Sequence, residues 1–177
     1  MQSALLVTVV VLAALAAVSS LAAVVHAVRV ENRHAAAEAA RLVAHLVGPA
    51  RRLVLELEVP SHGGLPQWGF ANVDPTFEQV EAFAAEHQAL VALARERLLE
   101  CASTSDDPVV RNAAAVCAVR AGAAWVHALA RLRSEVADRA GGDPADLDRA
   151  PAAWHRLSDA VELLAAHLSG TVHDDGT

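Results

Sequence analysis

Hydrophobic and polar positions fall into four blocks along this chain, and the first block is the most apolar. From Ala4 to Val28 the sequence runs for 25 residues without a formal charge, and its few polar residues are Thr8, Ser19, Ser20 and His26. As a helix this run would be roughly 37 Å long, which is more than the hydrocarbon core of a bilayer needs. The pattern predicts a transmembrane anchor over residues 1–30.

A cleaved signal peptide is the alternative interpretation of the same block. Val25-His26-Ala27 resembles a small-x-small cleavage site, and cleavage near Ala27 would release a secreted, extracytoplasmic helical domain. A signal peptide, however, begins with basic residues, and its apolar stretch is only about 7–15 residues long. Met1-Gln2-Ser3 carries no basic side chain. The uncleaved anchor is therefore the favoured interpretation.

A membrane-proximal helical extension is predicted over residues 31–59. Gly48-Pro49 predicts an interruption in it, because proline has no N–H to donate and clashes with the preceding turn. Beyond the proline, the alternation of Leu53, Leu55 and Leu57 with other residues leaves a short strand open as an alternative to a kinked helix. The predicted apolar face of the extension comprises Ala39, Leu42, Val43, Leu46 and Val47.

Residues 60–74 form a predicted loop rich in proline, glycine and aromatic residues. It contains two of the six aromatic residues of the chain, Trp68 and Phe70, as well as His62. Loops of this length are uncommon and are often functional. The sequence therefore predicts a candidate interaction loop at His62, Trp68 and Phe70. The alternative is a loop that folds back and buries Trp68 as a plug in the core.

Three amphipathic helices are predicted over residues 75–170, followed by a polar tail at 171–177. Asp74-Pro75-Thr76 is typical of a helix start, and Gly170 predicts the end of the last helix. The predicted core stripes have apolar residues at steps of three and four. They comprise Phe77, Val80, Ala84, His87, Val91, Ala94 and Leu98, then Ala115, Ala118, Trp125, Leu129, Leu132 and Val136, and finally Trp154, Leu157, Val161, Leu164, Ala165 and Leu168.

The composition supports an all-α fold. Hydrophobic residues make up 54% of the 177, 41 residues are alanine, aromatics are 3%, and tyrosine is absent. Such a chain is poor material for a sheet. Short turns between helices favour antiparallel neighbours. The predicted architecture is an N-terminal single transmembrane helix that continues into an antiparallel, up-down helical bundle of three to four helices.

Charge is divided unevenly about the predicted anchor. Between positions 29 and 52 there are five arginines and two glutamates, a balance of +3, whereas positions 53–177 carry nine arginines and nineteen acids, a balance of -10. The positive-inside rule then places the N-terminus outside the plasma membrane and the bulk of the chain in the cytoplasm. An acidic body also argues against nucleic-acid binding. The predicted membrane-surface collar comprises Arg29, Arg33, Arg41, Arg51 and Arg52.

No pattern of catalytic or metal-binding residues emerges from the sequence. No two histidines are spaced three or four apart, and Glu31, His34 and Glu38 form a single cluster without a second copy. Cys101 and Cys117 are too far apart in a hairpin to form a disulfide, so both are expected to be free thiols. We therefore expect a protein without catalytic activity, cofactor or metal.

Two functions remain for such a bundle. The favoured one is a protein-interaction or assembly module whose partners are the lipid bilayer and either another protein or a second copy. A homodimer could form through the bundle or through small residues of the span such as Ala13 and Ala17. The alternative is a sensor-like bundle that binds a small ligand in its core or at the 60–74 loop. A cavity lined by Trp125, His127 and Trp154 would favour the sensor.

Overall fold

The computed structural model describes residues 2–65, 75–138 and 145–174. Every regular element within these ranges is an α-helix, which confirms the predicted all-α class. There are four of them: α1 Gln2–His62, α2 Phe77–Thr104, α3 Pro108–Asp138 and α4 Ala145–Asp174. Trp68 and Phe70 lie outside the described residues, as do the side chains of residues 1–19, which include most of the predicted span.

The chain divides into two compact units, Met1–Ala40 and Arg41–Thr177. The first unit consists of the beginning of α1, and its described valines at positions 24, 25 and 28 are exposed. The second unit contains the rest of α1 together with α2, α3 and α4, and it holds the buried core.

Neighbouring helices of the second unit run antiparallel. In α1, Arg51 binds Glu162 of α4, whereas three residues later the carbonyl of Val54 accepts a hydrogen bond from Trp154. The contacted residue of α4 moves from 162 back to 154 as the α1 residue advances from 51 to 54, so the two helices are antiparallel. Helix α1 also contacts α2, where Glu56 meets His87. Helix α3 packs against α2 and α4. The four helices thus surround one core.

The core consists of large side chains on α1, α2 and α4 packed against alanines of α3. The predicted stripes supply most of it, because Val80, Val91 and Leu98 are buried, as are Leu157 and Leu164. Alanine side chains let helices approach closely, and the buried ones of α3 include Ala114, Ala118, Ala121, Ala124 and Ala128. Ala39 of the predicted face has a side chain outside the described residues, and of the predicted core residues that are described, two are exposed instead. Phe77 is the first residue of α2, and Leu42 precedes the first buried turn of α1.

The predicted interruption at Gly48-Pro49 is wrong, as is the alternative of a strand over positions 53–58. Helix α1 continues through Pro49 and ends at His62. Pro49 deprives the helix of a single hydrogen bond, to the carbonyl of His45. Burial of the flanking Val47, Ala50 and Leu53 against the bundle compensates for that loss. Tertiary packing therefore overrides the local signal.

Two predicted helix ends also need correction. The first three residues of the predicted 60–74 loop belong to α1, which stops only where Gly63 and Gly64 take φ values of 98° and 96°. Helix α4 continues past Gly170 to Asp174. Gly170 lacks the positive φ of a helix-terminating glycine, so it is one more helical residue. The start of α2 is as predicted, with Thr76 and Gln79 in a reciprocal capping box.

Candidate interaction surface

Helix α3 is apolar on two faces, of which only one meets the core. Its inward face is buried and includes Ala121 and Cys117. Its outward face carries four valines with a large exposed fraction, which are Val109 at 52%, Val116 at 46%, Val119 at 72% and Val126 at 61%. Exposed apolar residues that lie in one continuous row, rather than scattered singly, are typical of an interaction surface.

The outward valines belong to a row with regular spacing. Successive members are three, four, three, four and three residues apart, which is the seam of a heptad repeat. We call this row the α3 seam, and it comprises Val109, Asn112, Val116, Val119, Ala123 and Val126. Asn112 and Ala123 are exposed, like the valines. The spacing matches what a partner helix laid along α3 would require.

The two apolar faces also make α3 long and apolar enough to cross a membrane by length and composition, over Pro108–Ala137. It is the one such helix found within the described residues that were searched. Its contacts with α2 and α4 identify it as a core helix of the bundle. The exposed valines of the seam, added to the apolar residues of the core face, raise the hydropathy of α3.

Charged side chains of α3 are engaged away from the seam. Arg111 donates to the carbonyl of Ser105, and Arg120 donates to the carbonyl of Arg156 on α4. Arg133 forms an ion pair with Glu81 of α2 at 2.8 Å. Since no acid occurs between positions 108 and 134, the seam is a neutral strip on an otherwise acidic body.

A groove of about 330 Å³ lies between α2 and α3. Trp125 and Leu129 form its apolar wall, and the Glu81–Arg133 pair lies at its edge. The Trp125 indole N–H donates to no other described residue. A sensor is expected to have a cavity lined by Trp125, His127 and Trp154. Of these three residues only Trp125 lines the groove.

His62 of the predicted interaction loop lies at the end of α1. Its Nδ1 is 2.7 Å from the carbonyl oxygen of Glu58, and its ring meets Trp154 edge-on with centroids 5.3 Å apart. Trp154 in turn donates from Nε1 to the carbonyl of Val54 at 2.8 Å. The histidine thus contacts α4. The other two predicted loop residues, Trp68 and Phe70, are outside the described residues, so their association with His62 stays a prediction.

The predicted collar divides into two groups. Arg29, Arg33 and Arg41 are exposed on α1. Arg51 forms a two-pronged hydrogen-bonded ion pair with Glu162, at 3.0 and 2.9 Å, and Arg52 lies 3.8 Å from Glu56. The last two arginines therefore have acidic partners within the bundle.

Both cysteines are buried and free. Burial raises the pKa of the Cys101 thiol, and it raises the pKa of Cys117 to about 12, although nearby Arg120 opposes the shift. The thiolate is the reactive form, so these are unreactive thiols. Within the described ranges no group of three or more histidine, cysteine or acidic side chains is arranged to hold a metal ion.

The α3 seam is the candidate interaction surface that the sequence analysis does not identify. Its heptad spacing is readable in the sequence, but an alanine-rich helix offers several apolar stripes. The stripe assigned to the core included Trp125, Leu129 and Leu132, and nothing local shows that a second stripe stays uncovered. The positions of α2 and α4 decide which stripe of α3 is buried and which is exposed.

Comparison with known proteins gives no relative: no family model, curated protein or solved structure matches this chain.

Proposed function

We propose that the protein is a single-pass, membrane-anchored helical bundle that acts as a non-catalytic protein-interaction or assembly module. The observation that carries this proposal is the α3 seam, a row of exposed valines on a helix whose opposite face is already packed in the core. A bundle with a complete core and an uncovered, regularly spaced apolar row is suited to binding another helix.

The membrane anchor in this proposal is residues 4–28. A run of 25 uncharged, mostly apolar residues is long enough to span the hydrocarbon core, and the valines at 24, 25 and 28 are exposed. Arg29 and Arg33 follow directly and are exposed, as expected for side chains at anionic headgroups. The acidic bundle then lies in the cytoplasm, with the N-terminus outside.

Interaction and anchoring are tested separately. Anchoring predicts that the full chain stays in the membrane pellet after alkaline extraction. A cysteine introduced at exposed Leu163 on α4 should react with an impermeant maleimide only after the cells are opened. Release by alkali, or labelling of intact cells, would overturn the anchor or its orientation.

Interaction is tested on the detergent-extracted full chain by comparing Val119→Asp with Leu163→Asp. Both side chains are exposed, at 72% and 56%, so neither change disturbs the core. We expect Val119→Asp to abolish the complexes seen by native electrophoresis and cross-linking, and Leu163→Asp to leave them intact. Equal effects of the two variants would exclude the seam as the binding surface.

A second candidate function is ligand sensing at the groove between α2 and α3. The observation in its favour is Trp125, whose ring forms one wall while its indole N–H has no acceptor among the described residues. Small planar aromatic compounds would stack there. A concentration-dependent change in tryptophan fluorescence that is lost in Trp125→Leu would support sensing, and an unchanged signal across an indole and naphthalene series would reject it.

A further inference from the structure

We propose that the occupant of the α3 seam is the same seam of a second copy, with the two α3 helices parallel and in register. This inference rests on the proposed function as an interaction module and names its partner. The pairing is argued from the spacing, from one polar residue and from charge.

The spacing permits self-pairing along the whole seam. In a parallel pair each seam residue meets its own counterpart, so the layers would be Val109, Asn112, Val116, Val119, Ala123 and Val126 against themselves. Four of the six layers are valine against valine. Residues 109–126 extend over roughly 27 Å of helix, enough for about five turns of continuous contact.

Asn112 selects the partner and the direction. It is the one polar residue of the seam, it is exposed, and its side-chain amide makes no hydrogen bond to another described residue. In a parallel pair, Asn112 faces Asn112 of the second copy, and the two amides can donate to and accept from each other. In an antiparallel pair centred on the seam, Asn112 would face Ala123 and lose its solvent without gaining a partner.

Charge also favours a second copy over a charged partner. The chain from position 53 onward has a net charge of -10, so two copies repel each other where acids are exposed. The seam has no acid, and Arg111, Arg120 and Arg133 beside it already have acceptors within their own bundle. A basic partner would find no carboxylate on the seam, and an acidic one would find no unengaged arginine.

The size of the contact fits two copies held in one membrane. Six side chains from each copy bury on the order of 1,000 Å² in total, which is at the lower limit for a specific interface. Anchoring both chains in the same bilayer raises their effective concentration and favours a contact of this size. The inferred dimer is therefore weak in detergent at high dilution and strong in the membrane.

Disulfide trapping of the full-length protein in native-like membranes tests the geometry. Single cysteines are introduced at Val119 and, as the control, at exposed Leu163 of α4; the native cysteines are buried and stay in place. We expect mild oxidation to convert most of Val119→Cys into a covalent dimer and less than one-tenth as much of Leu163→Cys. Cross-linking between Val109→Cys and Val126→Cys, stronger than that of either variant with itself, would overturn the parallel arrangement.

A second measurement separates this inference from the proposed function. The dissociation constant of the dimer is measured by fluorescence transfer between labelled copies in vesicles at varied protein-to-lipid ratio. Val119→Asp should weaken the dimer at least tenfold. Asn112→Ala should loosen the register of the pair, so that Val119→Cys also forms disulfides with cysteines placed at neighbouring seam positions of the second copy.

The remaining outcomes overturn the inference in different ways. A monomer whose seam is still required for binding another protein would refute the second copy and leave the interaction module standing. A dimer that is unaffected by Val119→Asp would place the contact outside the seam. A monomer with position 119 shielded from water-soluble maleimide by lipid alone would assign the seam to the bilayer.

Discussion

Arg131 of α3 donates a hydrogen bond from Nη1 to the carbonyl oxygen of Leu147 in the first turn of α4. This carbonyl would normally accept from the amide of residue 151, but Pro151 has no N–H. The guanidinium thus replaces the hydrogen bond that the proline removes. It also donates from Nη2 to the carbonyl of His62 at the end of α1, at 3.2 Å. One side chain therefore joins three helices.

Replacing Arg131 with alanine should destabilise the bundle by about 2–4 kcal/mol, because two carbonyl oxygens lose charged donors and Glu135 loses its partner. The side chain of Arg131 is only 16% exposed, so solvent replaces these contacts poorly. Arg133→Ala is the matched control. Its ion pair with Glu81 is about half exposed and should contribute less than about 1 kcal/mol. Thermal unfolding followed by circular dichroism measures both.

The coupling to Pro151 can be measured with a double-mutant cycle. Pro151→Ala restores an amide N–H that can donate to the Leu147 carbonyl, so the loss caused by Arg131→Ala should be smaller in that background, by about 1 kcal/mol. Strict additivity of the two changes would show that the guanidinium does not substitute for the missing helical hydrogen bond.

Gly63 and Gly48 should respond in opposite directions to alanine. Gly63 has a φ of 98°, and a Cβ added there would lie 2.8 Å from Oε1 of Glu135, so Gly63→Ala should destabilise by about 1–3 kcal/mol. Gly48 lies inside α1 with nothing within 4 Å of an added Cβ. Gly48→Ala should stabilise by about 0.5–1 kcal/mol through higher helix propensity. Denaturant midpoints of the two variants would give this contrast, and a shift in the same direction would contradict it.

The contrast between the two glycines shows how much of the fold can be predicted from sequence. Helix starts depend on a few adjacent residues, so the capping chemistry at Thr76 was readable. Core stripes at Val91 and Leu98 follow from periodicity alone. The continuation of α1 through Pro49 and of α4 through Gly170 depends on packing and on a backbone angle, which no local pattern encodes.

The candidate surface was less predictable than the fold. A stripe on α3 can be recognised from spacing, but its exposure depends on which face α2 and α4 cover. The predicted core residue Trp125 and the seam residue Val126 are adjacent in sequence, and only the bundle places them in different environments. Uncovered faces are tertiary properties, so candidate interfaces of this kind need a structure.

Cys117 should make stability depend on alkaline pH. Burial raises the pKa of this thiol from its ordinary value of 9.0 to about 12 in the folded chain. Below pH 9 the thiol is protonated in both states and its contribution to stability is fully present. As the pH rises from 9 towards 12, the unfolded chain loses the proton first and stability falls. Cys117→Ala should flatten this decline in unfolding midpoints measured between pH 8 and 11.

The same burial predicts slow chemistry at both native thiols. At pH 8 neither Cys101 nor Cys117 should react with Ellman's reagent until the protein is unfolded, since the thiolate fraction and the access are both small. Leu163→Cys, on the exposed face of α4, should react within the first minutes under the same conditions. Rapid reaction of two thiols in the folded wild-type chain would contradict the buried placement.

Trp154→Phe should destabilise the contact between α4 and α1 by about 1 kcal/mol. The phenyl ring keeps most of the packing but loses the hydrogen bond from Nε1 to the Val54 carbonyl, which is 2.8 Å long. Trp125→Phe is the control. The indole N–H of Trp125 has no acceptor among the described residues, so its removal should change stability by less. Urea unfolding of the two variants would decide this, and an equal loss would mean that ring size rather than the hydrogen bond matters.

Ser61→Ala should stabilise the bundle. The Ser61 side chain is fully buried near the end of α1, and its hydroxyl oxygen has no hydrogen-bond partner within the described residues. A buried hydroxyl without a partner costs about 1–3 kcal/mol, and alanine removes the polar atom while keeping the Cβ. We expect the unfolding midpoint to rise by an amount equivalent to about 1 kcal/mol. Ser169→Ala on α4 is the control, because that hydroxyl already donates to the carbonyl of Ala165 at 2.8 Å. A fall in stability in Ser61→Ala would show that the hydroxyl binds a group beyond the described residues.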